Sequence, residues 1–394
     1  MHNDFVKLRY RFRFYPTPDQ EVHLAKTFGA CRYVYNYMLR YRSDQYHEGV
    51  KINYNQSSSK LTALKKEEPH AWLNDVSCVP TQQVLRHLQK AYDNFFDGRA
   101  KYPTFKKKHG SQSAEYTTSA FKYSKKSKTL TIAKLGKLDV RWSREFASSP
   151  TTVTITKSRV GHYFVTLVLD EEIRPFQKTG ETVGVDLGIN RLATLSNGER
   201  IANPKNTAKY AKKLAKAQRK LSRKKNGSNR REKQRKVVAK IQEKISNCRT
   251  DHIHKVTTDI VKRFDVIYME DLNVRGMVRN HKLAKSISDA SFGFFDQCIS
   301  YKCEWYGKKQ VRIDRFFPSS KRCSVCGHIV ESLPLSIRSW TCPECDVIHD
   351  RDENASINIM AVGQTVSAHG GHVRPVKTSV KKGNAQRSAN QPRN

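Results

Sequence analysis

The alternation at the start of the chain sets its first element. Val6, Leu8, Tyr10, Phe12 and Phe14 are separated by Lys7, Arg9, Arg11 and Arg13. A period of two predicts a strand with one apolar and one cationic face. Thr17-Pro18-Asp19-Gln20 then supplies an N-cap, a proline in the first turn and a Gln three residues after the cap. That pattern predicts a helix running to about Gly49. Helical spacing predicts two more helices over roughly 57–67 and 80–97. In the second, Val84, Leu85, Leu88, Ala91, Tyr92, Phe95 and Phe96 form the apolar face of a small bundle. From about Ala114 to Arg174 the period returns to two. Leu130–Ile132, Thr152–Ile155 and Tyr163–Leu169 read as strands; with the first strand they suggest a β-barrel interrupted by the helical insertion.

Thr182–Ile189, Leu192–Leu195, a turn at Ser196-Asn197-Gly198, and Arg200-Ile201 predict a β-meander that opens a mixed α/β region. About sixty helical residues follow. After them come a strand at Val266–Glu270, a helix over about Ala290–Gly307, a strand at Gln310–Phe316 and a helix starting near Asp352. From about Gly363 to Asn394 the chain is rich in Gly, Ser, Asn and Lys without periodicity, which predicts a disordered basic tail.

Charge narrows the function. The 394 residues include 73 Lys+Arg and 36 Asp+Glu, a net charge of +37. Such an excess calls for a polyanionic partner, and nucleic acid is the first candidate. No apolar run approaches the ~18 residues of a membrane span, and no signal-peptide core opens the chain. Nine cysteines are an odd number in a chain too long to need staples, so a reducing, cytoplasmic setting is expected. Between Lys205 and Ile245 there are seventeen Lys/Arg and two Glu. Leu214, Leu221, Val237, Ile241 and Ile245 recur at helical spacing, with a break at Asn226-Gly227-Ser228. This predicts a helical hairpin with a thin apolar seam and a cationic exterior. A merely solvated helix pair would mix charge signs. Arg219, Lys220, Arg223, Lys224, Arg230 and Arg231 are therefore candidate contacts to a phosphate backbone.

Cys323-x-x-Cys326 and Cys342-x-x-Cys345, fifteen residues apart, fit a four-thiolate zinc ribbon. A closed all-cysteine site leaves no open position, so one structural Zn²⁺ is expected. Asp251-His252-Ile253-His254 has the His-x-His look of a transposase metal motif. It lies in a helical run, where residues two apart diverge, so it is read as structural. Acids worth attention sit at element ends: Asp186 in an apolar strand between Gly184 and Gly188, Glu270 at the end of the Val266 strand, and Asp352 at a helix start. A lone carboxylate in an apolar strand is costly unless paired. Acids where phosphates bind require divalent cations between them, and two Mg²⁺ ions would also activate a water and stabilise a leaving oxygen.

Gly-Val-Asp-Leu-Gly-Ile around Asp186, Met-Glu-Asp-Leu around Glu270 and Asp-Arg-Asp-x-Asn-Ala around Asp352 resemble the three split motifs of a RuvC nuclease, an RNase H-like fold. With the zinc module just ahead of the third motif and the basic insertion between the first and second, the order resembles the TnpB family of transposon-encoded RNA-guided DNA endonucleases. The Ser286–Ala290 and Ala368–Pro375 stretches share in the resemblance. It implies Asp186, Glu270 and Asp352 as catalytic Mg²⁺ ligands, with Asp350 ranked below Asp352; Ser356 stands where the family more often has Ala. It implies a guide RNA from the transposon end and double-stranded target DNA cut beside a short adjacent motif by one RuvC site. It also implies a monomer within the ribonucleoprotein, in a prokaryotic nucleoid setting. The adjacent motif is expected to be read by the N-terminal helices, with Tyr54, Ser58, Gln82 and Gln83 as candidates.

The domain plan implied is a β-barrel from 1–16 and 111–180, a helical recognition insertion at 17–110, and a nuclease domain from 181–317 and 349–362. That domain carries a basic insertion at 205–258; a zinc ribbon at 318–348 and a tail at 363–394 complete the chain. The fold class is thus α/β multidomain. Two other readings are a nuclease-inactive RNA-guided DNA-binding regulator and a guide-independent zinc-ribbon nucleic-acid-binding protein. The complete acidic triad counts against the first, and the second leaves the triad unexplained.

Overall fold

The computed structural model describes residues 5–108 and 110–368. It divides into two compact units: residues up to Arg174 together with Thr207–Cys248, and Pro175–Asn206 together with residues from Arg249 onward.

The first unit opens with β1 (Phe5–Phe14), whose Leu8, Phe12 and Phe14 are buried. The basic residues alternate outward, and the Arg11 guanidinium lies over the Phe164 ring at 3.7 Å. Helix α1 (Pro18–His47) begins with the capping box read from the sequence: the Gln20 N–H donates to the Thr17 hydroxyl at 3.3 Å, and the Thr17 N–H to the Gln20 side-chain oxygen at 3.1 Å. Helices α2 (Tyr54–Leu64) and α3 (Cys78–Phe96) follow. Then come β2 (Gln112–Thr117), β3 (Phe121–Ser124), β4 (Thr129–Ile132), β5 (Gly136–Leu138), β6 (Val140–Arg141), β7 (Thr152–Lys157) and β8 (Tyr163–Glu172). The larger sheet runs β2-β7-β8-β1-β6, and β3-β4-β5 form a second, smaller one. The expected barrel is therefore an open sheet. Closure needs a ladder on both sides of every strand, and among the described residues β6, two residues long, pairs only with β1. One core beneath gathers Phe12, Phe14, Leu24, Met38, Leu61, Leu85, Leu88 and Tyr116.

In the second unit β9 (Thr182–Leu187), β10 (Arg191–Leu195) and β11 (Arg200–Ala202) form the expected meander. Helices α4 (Asn206–Ser222) and α5 (Asn229–Arg263) follow, with the turn where Asn226-Gly227-Ser228 requires it; Gly227 has φ +80°. Residues 207–248 of this hairpin pack with the first unit. Its seam is Ala217, Val238, Ile241 and Ile245 against Tyr210, Leu214 and Leu221. Val237, expected in the seam, is 44% exposed; Val238, one residue on, lies about 100° round the helix and takes its place. His252 and His254 lie on α5, as the helical spacing indicated.

Strand β12 (Val266–Glu270) follows, then α6 (Val274–Met277), α7 (Ala284–Ala290), α8 (Phe292–Tyr306), β13 (Lys309–Ile313), β14 (Ser339–Thr341), β15 (Ile348–Asp350) and α9 (Arg351–Ala368). The sheet order is β11-β10-β9-β12-β13, with β12 parallel to both β9 and β13. Val183, Val185, Ile267 and Met269 enter the core formed with α5 and α8, while Tyr268, Val311 and Ile313 pack with Ile359 of α9. Helix α9 carries the chain through 363–368, where a tail was expected; the rest of that tail lies outside the described residues. No helix among the described residues is long and apolar enough to cross a membrane.

Two glycines set how closely α9 approaches. A Cβ at Gly184 would lie 2.1 Å from the Ser356 carbonyl oxygen, and one at Gly363 would lie 2.1 Å from Cδ1 of Tyr268. The obstacle at Gly184 is helix backbone, which cannot rotate aside. Gly184→Ala should therefore destabilise the chain by about 2–3 kcal/mol, read as a lower urea midpoint at unchanged slope. An unchanged midpoint would contradict this packing.

Candidate active site

Strand register and helix approach together bring the three acids towards one place. Tyr268 is opposite Gly184, and Met269 opposite Val185, so Glu270, the last residue of β12, comes level with Asp186, next to last in the adjacent parallel β9. Side chains two residues apart share a sheet face. Gly184 and Tyr268 face α9, and so do Asp186 and Glu270. Ser356 sits over Gly184, and Asp352 lies one helical turn before it, in the first turn of α9.

The electrostatics follow. Burial pushes the Asp186 carboxyl up to about 8; the negative charges of Glu270 and Asp352 push the same way, while Arg351 and Arg338 oppose them. Burial also raises Glu270, against a hydrogen bond from the Ser319 hydroxyl. Asp352 is held by the Arg338 guanidinium at 3.2 Å. Asp350 has a different task. Arg191 and Arg200 pair with it at 3.1 and 3.2 Å, and its Oδ1 accepts the Asp352 and Glu353 N–H groups, so it caps α9.

The three carboxylates do not all lie within 4.8 Å of one another; among the described residues only the four cysteines do so as a candidate metal group. That distance describes ligands of a single ion. A pair of divalent cations ~3.5–4 Å apart, each ~2.1 Å from its oxygens, is held by a wider set. The donor chemistry fits hard cations: three carboxylates, one of them raised first by burial and then by its two negative neighbours. This has a consequence for stability. The folded chain holds the Asp186 proton up to about 8, whereas the ordinary value is 3.8, so this group lowers stability progressively as pH rises between those values. The melting temperature of Asp186→Asn relative to the parent, without added divalent cations, should therefore climb from pH 5 to pH 8.5. A difference that shrinks with pH would contradict the cluster.

Beside Glu270 a cavity of about 480 Å³ is lined by Asn273, Arg275, Asp296, Arg312 and Arg315, among others. Asp296 accepts from Arg312 at 2.9 Å, and Arg315 pairs with Asp271.

The four cysteines converge as their spacing required. Cys323 and Cys345 sulfurs are 3.6 Å apart, as are those of Cys326 and Cys342. Zn–S bonds of ~2.3 Å in a tetrahedron give a similar separation. His349, on β15, meets Cys323 at 3.0 Å through Nε2, the outer contact expected of a metal-bound thiolate. From α9, Asn354 and Asn358 donate to the Arg322 carbonyl at 2.7 and 2.6 Å, and Asn358 also to that of Ser319 at 2.9 Å. The cysteine module is thus tied to the helix that carries Asp352. Ser319, Arg338, His349, Asn354 and Asn358 escaped the sequence reading; the signals available were the i,i+4 pair of asparagines and a histidine just ahead of the third motif.

Among the candidate nucleic-acid contacts, the Ser58 hydroxyl donates to Gln82 at 3.2 Å, and Arg86 lies over the Tyr54 ring at 5.0 Å. Tyr54 and Ser58 share a face of α2, as Gln82 and Arg86 share one of α3. Gln83 is half-buried beside them. Arg219, Lys220, Arg223 and Arg230 are exposed on the hairpin, and Lys224 is partly so. Arg231 instead donates to the Leu221 and Lys224 carbonyls, both at 2.8 Å, and staples the turn.

Comparison with known proteins agrees with this architecture. Residues 164–281 match a family model described as "Probable transposase", and residues 292–359 match a Cas12f1-like TNB domain. Residues 1–51 match a model described as a helix-turn-helix domain; the described part of that segment is one strand and one unbroken helix. A Streptomyces pristinaespiralis protein named "Putative RNA-guided DNA endonuclease" is 46% identical over 96% of this chain and 94% of its own. The Escherichia coli K12 protein named "Putative RNA-guided DNA endonuclease InsQ" is 32% identical over 93% and 96%. The fold resembles that of a Cas12f1 solved with single-guide RNA and target DNA (TM-score 0.57, 12% identity, covering 91% of this chain and 99% of that one). It also resembles the mini-RNA-guided endonuclease Cas-phi3 (TM-score 0.54, 9% identity, 91% and 92%). With identity this high across almost the whole of both curated relatives, the protein belongs to the TnpB family.

Proposed function

We propose that the chain is an RNA-guided DNA endonuclease whose second unit is an RNase H-like, RuvC-type nuclease. What supports this reading is the strand register that sets Asp186, next to last in β9, level with Glu270 at the end of β12, and the influence of the Glu270 and Asp352 charges on Asp186. The relatives' names as RNA-guided DNA endonucleases point the same way and do not favour a regulator or a guide-free binder. Asp186, Glu270 and Asp352 would hold Mg²⁺, which when bound supplies an activated water and charge stabilisation at the scissile phosphate.

The chain's own groups prepare that site. The Ser319 hydroxyl fixes the Glu270 carboxylate, and Arg338 holds Asp352 until a cation or a phosphate competes for it. Arg275, Arg312 and Arg315 line the cavity beside Glu270, where they favour an incoming phosphodiester backbone. Four thiolates would hold one Zn²⁺ as a closed structural site. Base pairing to a guide RNA would supply sequence choice, while the cationic hairpin holds the backbone. The polar face of Tyr54, Ser58, Gln82, Gln83 and Arg86 would meet base edges of an adjacent motif. The test is expression with the flanking locus, sequencing of the bound RNA, and challenge with matched duplex and Mg²⁺. Cleavage of matched duplex alone is expected; cutting that ignores the guide would overturn the reading.

A further inference from the structure

Past the end of α3 the first unit carries a built aromatic surface. Phe96 is 71% exposed, Phe105 54% and Tyr102 43%, three large rings in water within ten residues. Single exposed rings are ordinary, but Phe96 and Tyr102 have a supported base. Phe95 lies 5.3 Å from both Phe96 and Tyr102, between ring centroids. Buried Tyr92 stacks on Phe96 at 6.3 Å and meets Tyr102 edge-on at 5.8 Å. The Arg42 guanidinium covers Tyr92 at 4.4 Å.

The following segment is strapped to α1. The Tyr102 and Ser43 hydroxyls are hydrogen-bonded at 2.6 Å. Asn36 clamps the Lys106 backbone at both its N–H (2.7 Å) and its carbonyl (2.9 Å). Asn36 and Ser43 are two turns apart on one face of α1, about 10 Å. Tyr102 to Lys106 therefore runs along that helix with its rings presented rather than loose. Lys101, Lys107 and Lys108 border the strip, all exposed. Rings alone would suit any apolar partner. Rings edged by cations, in a chain of net charge +37, suit unpaired bases, each of which offers a π-face beside a phosphate.

We propose that this strip binds unpaired bases of a single-stranded nucleic acid, with Phe96 and Phe105 stacking on bases and the lysines meeting the backbone. The class of partner rests on the nucleic-acid reading above, but the surface belongs to the first unit and the acids to the second. The test uses the full chain, washed of bound nucleic acid at high salt, without added Mg²⁺. The probes are unstructured RNA and DNA strands of about 12 nucleotides carrying 2-aminopurine. Phe96→Ala with Phe105→Ala should weaken binding about tenfold or more and abolish 2-aminopurine quenching at unchanged salt slope. Phe96→Trp with Phe105→Trp should restore both. Lys101→Gln, Lys107→Gln and Lys108→Gln together should flatten the salt slope by about 2. A larger effect on the RNA or on the DNA probe identifies the strand bound.

The proposal is overturned by an alanine pair that leaves quenching intact or weakens a blunt duplex equally. It is likewise overturned by one that changes the sedimenting mass, which would assign the strip to a second copy. Guided cleavage that fails while quenching responds as expected would count against the endonuclease reading alone.

Discussion

Glu270→Gln should reduce cleavage of matched duplex by about a thousandfold or more while leaving guided binding within about twofold. Glu270 ends β12 on the α9-facing side, its carboxylate positioned by Ser319. It belongs to the second unit, apart from the helices and sheet of the first. The amide keeps the size and the Ser319 contact but removes a negative donor from a hard-cation site. Loss of several kcal/mol of transition-state charge stabilisation corresponds to that rate factor. Binding measured on the same duplex by gel shift separates the two effects. Substantial cutting by this variant would remove Glu270 from the chemistry.

Cys342→Ser should be nearly as damaging by a different route. Structural Zn²⁺ contributes folding free energy of about 10–16 kcal/mol in small zinc peptides, and the module here contains only a small cluster around Cys323, Trp340 and Cys342. Without such an ion the segment from Pro318 to His349 would lose its knuckles. Ser319, which positions Glu270, and Arg338, which holds Asp352, belong to that segment. We expect zinc content to fall to near zero, new proteolytic sites between 318 and 348, and at least a hundredfold less cleavage with the acids intact. Guide RNA retention should change little. A zinc-free variant that resists protease and cuts at the parent rate would contradict the coupling through Asn354 and Asn358.

The parts legible in the sequence were those governed by local rules. Alternation gave β1, the Thr17–Gln20 box gave the start of α1, and the Asn-Gly-Ser break gave the hairpin turn. The paired C-x-x-C motifs announced their convergence because each knuckle is itself local. Asp186 stood out through its cost in an apolar strand, and its partners through motif order. What depended on packing between distant segments stayed hidden. Whether the sheet closes depends on β6 and its neighbours, and no strand pattern states that. Val237 and Val238 are both apolar, and only the angle of the partner helix selects the second. Arg231 looks like any other basic residue until the turn folds back on it. Ser319, Arg338 and His349 act through contacts 14 to 49 residues away in sequence, and their residue types carry no periodic signal.

If Asp186, Glu270 and Asp352 bind catalytic divalent cations together, as proposed, anomalous diffraction from Mn²⁺-soaked crystals of the guide-bound protein will locate those ions. Two manganese peaks about 3.5–4 Å apart are expected, both in contact with oxygens from these three side chains. Manganese bound elsewhere, with the three carboxylates free of it, would remove the triad from metal binding.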